Sequence, residues 1–296
     1  MLPAVPSKPK IAIVGSGRLG SALARELAQA DYSITAVISR DNPGSLRKAR
    51  KVAKSVHART ATTETANYAA NLIWLCVPDR EIACVGRELA TGNRWKGKFW
   101  KGKIVFHSSG ALSSEELNTL RKKGAAIASV HPLMTFVRGS TPSLKGVSFA
   151  VEGDTAAVRL ARQVVKALGG KAFGAGKKDK IAYHAWATFC SPLLIASLVT
   201  AEQIGRRAGF SARDARQKML PIVKQTIANY AALGPAAAFS GPIVRGDAAI
   251  VSGHLRVLKK VPVARAVYVA LARAALGYLP VRKRKQLAKV LGAAPR

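Results

Sequence analysis

The stretch from Lys10 to Gly20, Lys-Ile-Ala-Ile-Val-Gly-Ser-Gly-Arg-Leu-Gly, restricts the backbone more than any other in the chain. Residues 11–14 are an apolar run of the length expected for a buried parallel strand. Gly15, Gly17 and Gly20 follow at the spacing of a dinucleotide-binding turn, with Ser16, Arg18 and Leu19 completing it. The first glycine permits the tight bend, the second lets a pyrophosphate approach the backbone, and the third lets the next helix pack close on the strand. Residues 21–30 are good helix formers, and that helix would aim its N-terminal N–H groups at the phosphates. Such a pattern alone is weak evidence. Its place between a strand and a helix, with a second strand expected over 33–38, favours a nucleotide site over a structural glycine-rich turn.

The rest of the chain extends this start into a two-domain plan. A length of 296 residues exceeds one ordinary domain, and an apolar fraction of 49% argues against disorder. Strands are expected over 33–38, 71–77, 103–107, 125–130, 147–151 and 171–173, with helices over 46–56, from Ser113 onward and over 154–168. This alternation predicts an α/β fold, a doubly wound Rossmann-type parallel sheet, with Ser39, Pro78, Ser109 and His131 on the edge where ligands bind. From Lys177 onward no strand pattern recurs. Residues 181–208, 211–233, 247–258, 263–278 and 281–291 read as helices, so the chain divides into a dinucleotide-binding domain over 1–176 and an all-helical domain over 177–296. Ser211 and Asp214 have the spacing of a helix cap. The loop around Ser240, Arg245 and Asp247 breaks the helical pattern: Asp247 can cap the next helix, while Ser240 and Arg245 could face a ligand or another subunit.

Two features invite other classes of function. The formal charge of +33 would suit a nucleic-acid or anionic-membrane partner, yet the basic residues are dispersed and no base-reading motif accompanies them. A basic enzyme surface without specific nucleic-acid binding is the expectation. Residues 181–201 are nearly free of charge and long enough to cross a bilayer. Their place within a run of helices, with His184, Ser191 and Pro192 among them, reads instead as a buried central helix of the second domain, and no membrane partner is expected. The first ten residues carry neither a long apolar region nor a secretory cleavage pattern and read as a frayed leader. Arg245-Gly246-Asp247 is also a cell-adhesion tripeptide, a reading that the lack of a secretory pattern leaves unsupported. Cys76, Cys84 and Cys190 have no paired spacing, which fits a reducing cytoplasm and offers no metal site.

A glycine-rich Rossmann domain followed by helices resembles the superfamily of 6-phosphogluconate, 3-hydroxyisobutyrate and prephenate dehydrogenases, ketopantoate reductase and pyrroline-5-carboxylate reductase. More narrowly, His107-Ser108-Ser109-Gly110-Ala111-Leu112, His131-Pro132-Leu133-Met134, Tyr183-His184-Ala185 and the 241–247 loop resemble an uncharacterised bacterial family of Rossmann-like oxidoreductases with a helical domain of unknown function. The resemblance implies an NAD(P)-dependent oxidoreductase acting on a small carbonyl, hydroxy-acid or imine substrate, and a homodimer formed through the helical domain. The cofactor would supply the hydride chemistry. A rival from another class is a non-catalytic dinucleotide sensor or basic nucleic-acid-binding regulator on the same scaffold.

Ser39-Arg40 stands where NAD-selective sites usually place an acidic residue for the ribose hydroxyls. A hydroxyl beside a guanidinium suits a 2′-phosphate, so NADP(H) is expected in preference to NAD(H), with Val77 and Pro78 lining the same site. For the chemistry, the segment from Gly174 to His184 resembles the Gly-x-Gly-x-x-x-Lys-x-x-x-Asn stretch of 3-hydroxy acid dehydrogenases, with His184 replacing the asparagine. That resemblance implies proton transfer at Lys180. Lys180 and His184 stand four apart and share a helix face. Ser109 matches the post-strand serine of those enzymes, and His131-Pro132 resembles the catalytic His-Pro turn of prephenate dehydrogenases. The expected site therefore has Ser109 and His131 orienting the substrate, and Lys180 and His184 moving the proton. In the blander alternative Lys180 is solvated, His184 is a hydrogen-bonded core residue, and His131 merely precedes a rigid turn.

Overall fold

In a computed structural model, which describes residues 8–66, 69–92, 99–140 and 142–293, the chain forms two compact units, Met1–Thr188 and Phe189–Arg296. The division falls after Thr188, later than the boundary expected at 176, because the first turns of the first long helix pack within the sheet-bearing unit. The first ten residues lie mostly outside the described ones.

The first unit is built on an eight-stranded sheet of β1 (Ile11–Val14), β2 (Ile34–Ser39), β3 (Arg59–Thr62), β4 (Leu72–Leu75), β5 (Ile104–His107), β6 (Ala126–Pro132), β7 (Ser148–Gly153) and β8 (Lys171–Gly174). Their spatial order is β3-β2-β1-β4-β5-β6-β7-β8. All neighbouring pairs are parallel except β6 with β7, which run antiparallel with Ser129 opposite Glu152 and His131 opposite Ala150. The helices α1 (Arg18–Gln29), α2 (Pro43–Ser55), α3 (Asp79–Thr91), α4 (Asn118–Lys122) and α5 (Thr155–Ala167) connect the strands. Apolar side chains fill both faces. Ile11, Ile13, Leu72, Trp74 and Phe149 pack with α1, α2 and α5 on one side, while Ala12, Ile73, Leu75 and Ile127 pack with α3 and α4 on the other. Burial on both faces is why the central strands read as continuous apolar runs.

The glycines of the first turn are required by contact. A Cβ on Gly15 would lie 2.5 Å from the Cys76 carbonyl oxygen, and one on Gly20 would lie 1.9 Å from the Gly15 carbonyl oxygen. Helix α1 begins at Arg18, earlier than expected, with Gly17 as its N-cap. Two elements that the sequence reading did not anticipate are β3, an edge strand, and α3, which starts directly after Pro78.

The second unit contains α7 (Pro192–Arg207), α8 (Ala212–Ala238), the single turn α9 (Pro242–Arg245), α10 (Ala248–Leu258), α11 (Pro262–Tyr278) and α12 (Arg284–Val290). Ser211 caps α8 as expected, its Oγ accepting from the Asp214 N–H at 3.1 Å. Arg216 of α8 donates to both carboxylate oxygens of Glu202 on α7, at 2.7 and 2.8 Å. A small core of Val251, Leu255, Ala272, Leu276 and Leu287 joins α10, α11 and α12.

The long apolar stretch departs from expectation. It divides at Ser191 into α6 (Lys180–Cys190) and α7, and its most apolar window is unburied. Ile181, Trp186, Phe189 and Ile195 are 52–69% exposed. The expected buried central helix is thus corrected: among the described residues these apolar side chains stay exposed.

Buried polar groups at the end of β5 tie the sheet to its loops. The His107 ring is fully buried; its Nδ1 accepts from the Ser109 N–H at 3.1 Å, so its Nε2 carries the proton and donates to the Ser113 carbonyl at 3.0 Å. Burial pushes its pKa down to about 4. An unfolded imidazole takes up a proton near pH 6.5, whereas the folded one resists until about pH 4, so this contribution to stability is complete above pH 6.5 and disappears as pH falls to about 4. The expected loss is on the order of 3 kcal/mol from this group. His131, also lowered to about 4, adds in the same direction. Urea unfolding at pH 7 and pH 4.5 should show a markedly lower midpoint at the acid pH; equal midpoints would contradict the buried neutral imidazoles.

Candidate functional site

A cavity of about 400 Å³ opens at the carboxyl ends of β1, β2 and β4. Of the residues expected to face a cofactor, Gly15, Ser16, Gly17, Ser39, Arg40, Val77 and Pro78 line it. Arg18, Leu19 and Gly20 do not. Leu19 packs against the core, Gly20 is buried between helix and strand, and Arg18 faces a neighbouring cavity. The chain fits a dinucleotide here: a Cβ on Gly17 would meet nothing within 4 Å, which leaves the backbone open beside the unpaired N–H groups of the first turn of α1.

At the β2 end, the buried Ser39 hydroxyl donates to the Arg40 carbonyl at 3.2 Å. The exposed Arg40 guanidinium lies 3.6 Å from the Glu81 carboxylate. Ser45 and Lys48 of α2 line the cavity, as do Glu81 and Glu88 of α3. None of these four was singled out from the sequence. Lys48 lay in a run of basic residues without a distinguishing pattern, and α3 was not anticipated.

A second cluster forms at the ends of β5 and β6, where the structure brings together Ser109, His131, Lys180 and His184 from three segments. Lys180 is only 2% exposed, and its Nζ donates to the Ser109 carbonyl at 2.9 Å and to the Ser129 hydroxyl at 2.7 Å. The Ser129 hydroxyl donates in turn to the Ser109 carbonyl at 3.1 Å. Burial lowers the Lys180 pKa, opposed by the carboxylates of Glu152 and Asp79. The Ser109 hydroxyl donates to Asp79 at 2.8 Å and accepts from the N–H groups of Ala111 and Leu112 at 3.1 and 2.9 Å, which locks the turn after β5.

On the open side of that turn stand two imidazoles. A Cβ on Gly110 would lie 2.9 Å from both His131 Nε2 and His184 Cδ2, so the missing side chain is what lets the two rings converge over the backbone. His131 Nδ1 is 2.7 Å from the Tyr183 hydroxyl. Burial raises the phenol to about 12, while burial, with Lys180 and His184 nearby, lowers His131 to about 4. Both are neutral near pH 7. A phenol donating to Nδ1 leaves the imidazole proton on Nε2, the atom beside Gly110. Unlike Lys180, His184 is exposed. Asp79, Ser129 and Tyr183 were not among the expected site residues; each enters through a contact with a residue 30 or more positions away.

Glu152 on β7 accepts from the Ser114 N–H and hydroxyl at 2.6 and 2.8 Å, anchoring the segment that follows the turn. In the second unit, Arg245 donates to Asp247 at 2.8 Å, an ion pair within the 241–247 loop. Among the described residues no group of histidine, cysteine and carboxylate side chains could hold a metal.

Comparison with known proteins agrees with this architecture. Residues 4–132 match a Rossmann-like domain and residues 147–275 match a domain of unknown function, DUF2520. No curated protein matches the sequence. Among solved structures, the chain is similar to a Bacteroides fragilis protein provisionally named an NADP oxidoreductase, at 22% identity over 90% of this chain and 97% of that one, with a TM-score of 0.73. It is also similar to a reductive aminase from Aspergillus terreus, at 17% identity over 96% and 99% of the two chains with a TM-score of 0.66. An imine reductase from Myxococcus stipitatus is 18% identical over 96% of this chain and 100% of its own, with a TM-score of 0.65. These likenesses are likenesses of fold. The chain thus carries a match to a Rossmann-like domain followed by a match to a DUF2520 domain.

Proposed function

We propose that this chain is an NADP(H)-dependent oxidoreductase, moving a hydride between the nicotinamide and a carbonyl, hydroxy-acid or imine carbon of a small substrate. The observation that carries the reading is the pairing, on one sheet edge, of an open glycine cradle with a preorganised cluster of imidazoles over Gly110. Two of the similar structures, the reductive aminase and the imine reductase, were solved with NADPH and with NADP+ respectively. When bound, the dinucleotide supplies or accepts the hydride, and the protein does the rest.

The Gly17 backbone and the start of α1 hold the pyrophosphate. Arg40, with Ser45 and Lys48, receives the ribose 2′-phosphate. The Arg40–Glu81 pair, with Arg40 exposed and Glu81 half-buried, is long at 3.6 Å and worth about 1 kcal/mol, so a dianionic phosphate displaces the carboxylate from the guanidinium at little cost. Cofactor titration by fluorescence should give NADPH an affinity at least tenfold above that of NADH. Arg40→Ala should reduce the difference to below threefold. Equal affinities in the unmodified protein would overturn the preference.

At the chemical end, a neutral His131 with its Nε2–H beside Gly110 is suited to donate a hydrogen bond to the substrate's oxygen or nitrogen as charge develops there. His184, exposed beside it, is placed to pass the proton to and from solvent. The burial of Lys180 and its two acceptors support a positioning role, with Ser109 as the group it holds, in place of direct proton transfer. With a substrate found among small ketones, imines and hydroxy acids, His131→Ala and His184→Ala should each lower kcat by about a hundredfold while leaving NADPH affinity within threefold. Full activity in both would remove the assignment, and an alternative reading as a cofactor sensor would then stand.

The helical unit exposes more apolar surface than an isolated chain ordinarily carries: Phe189, Leu193 and Ile195 are joined by Ile222, Ile227, Tyr230 and Leu233 of α8. A second copy of the chain is the proposed cover, which makes the protein a homodimer. Its three free cysteines suit the reducing cytoplasm proposed as its location. Sedimentation velocity at micromolar concentration should give a single species of about twice the 31.3 kDa chain mass. A monomer would refute the dimer without touching the cofactor reading.

A further inference from the structure

Beside the dinucleotide cavity, across Ser16 and Gly17, lies a larger one of about 830 Å³. It is walled by α1, α2 and the loop at 137–140, and each of these contributes cations: Arg18 and Arg25 from the first, Lys48 and Lys51 from the second, Arg138 from the loop. No carboxylate lines it, whereas Glu81 and Glu88 line its neighbour. Among the described residues, none of these five side chains is engaged in an ion pair. Ser16, Ser21, Ser55 and Ser140 also line it, with the Ser21 and Ser55 hydroxyls donating to the Ser16 and Val52 carbonyls. Five like charges held around one concavity repel one another, and their potentials add in the space they enclose. Among the described residues no carboxylate answers these charges in the cavity, so the balancing charge comes from solution.

We propose that this cavity is a second anion site that takes an oligophosphate, a run of linked phosphate groups such as inorganic tripolyphosphate or the phosphate tail of a nucleoside triphosphate. A single small anion can neutralise only part of five charges spread over two helices and a loop, whereas a chain of phosphates offers several charges at successive points. Guanidinium groups supply paired donors for phosphate oxygens, and the ammonium groups act as point charges. The mixed charge of the dinucleotide cavity suits a ligand with an uncharged base and sugars; the uniform charge of this one suits a polyanion. The cavity shares Ser16, Gly17 and Lys48 with the dinucleotide site, but Arg18, Arg25, Lys51 and Arg138 line it alone, and those four cations define a site that stands apart from the reading as an oxidoreductase.

The test uses the full chain at physiological ionic strength. Calorimetric titration with tripolyphosphate should show one saturable site, weakened at least tenfold by Arg25→Glu and by Lys51→Glu, both of which line this cavity alone. A parallel titration with ATP separates the two sources: binding tighter than tripolyphosphate identifies a nucleotide as the ligand, and weaker binding a bare phosphate chain. NADPH affinity should stay within threefold of the unmodified protein in both variants. Absence of saturable tripolyphosphate binding, or binding indifferent to both charge reversals, would overturn the proposal. So would a loss of NADPH affinity matching the loss of tripolyphosphate affinity, since the cluster would then be part of the dinucleotide site. Failure of NADPH to bind the unmodified protein would count against the oxidoreductase reading alone.

Discussion

A buried ammonium has to be given acceptors, and much of the first unit's upper edge follows from how Lys180 meets that demand. Removing such a group from water costs several kcal/mol unless hydrogen bonds replace the lost hydration. Here the replacements are the Ser109 carbonyl and the Ser129 hydroxyl, one from the turn after β5 and one from within β6. The start of α6 is thereby tied to two strands at once. Ser109 is held a second time by Asp79 at the start of α3, so the turn is fixed from both sides before any ligand arrives. The imidazoles above Gly110 inherit this rigidity, and geometry of that kind is what a reacting centre needs.

The distribution of charge separates two roles that a net figure of +33 hides. Where carboxylates are present they are mostly engaged: Glu115 with Arg121 and Lys177, Asp154 with Arg121, Glu202 with Arg216. The scarcity of acids leaves most cations without a partner on the chain, and such surfaces raise the local concentration of anions in general. Specific sites arise only where the backbone curves cations toward one another. Around α1 and α2, Arg18, Arg25, Lys48 and Lys51 line one concavity.

The legible parts of this fold were those where sterics or burial dictate residue type. The glycine turn was readable because a Cβ at Gly15 or Gly20 collides with backbone, and the central strands because burial on both faces demands continuous apolar runs. Strand β3 was missed for the converse reason. Arg-Thr-Ala-Thr lies at the sheet edge, where one side is solvated and the apolar signal disappears. Residues 181–201 were legible as helix but not as surface, since composition cannot say which molecule covers an apolar face. Within the candidate site, Lys180 and His184 were singled out from a family resemblance and from their spacing, but their different burial was not. Lys180 is drawn inward by acceptors 51 and 71 residues away, and no local pattern encodes such distances. Tyr183 was hidden similarly, sitting between the two named residues with its partner 52 positions upstream.

The antiparallel pairing of β6 with β7 has a bearing on how the helix reaches this edge. Strand β7 runs back down the sheet, and β8 follows it in parallel, so the chain leaves β8 facing away from the carboxyl ends of β1 to β6. Helix α6 then climbs alongside β6, meeting Ser129 with Lys180 and, one turn higher, His131 with Tyr183 and His184. Had the last strands continued in the common direction, the helix would have begun at the rim and pointed outward. One reversal in the strand order thus brings the chain's late segment alongside β6, delivering Lys180, Tyr183 and His184 from below to the turn after β5, where a loop would have had to reach in from above.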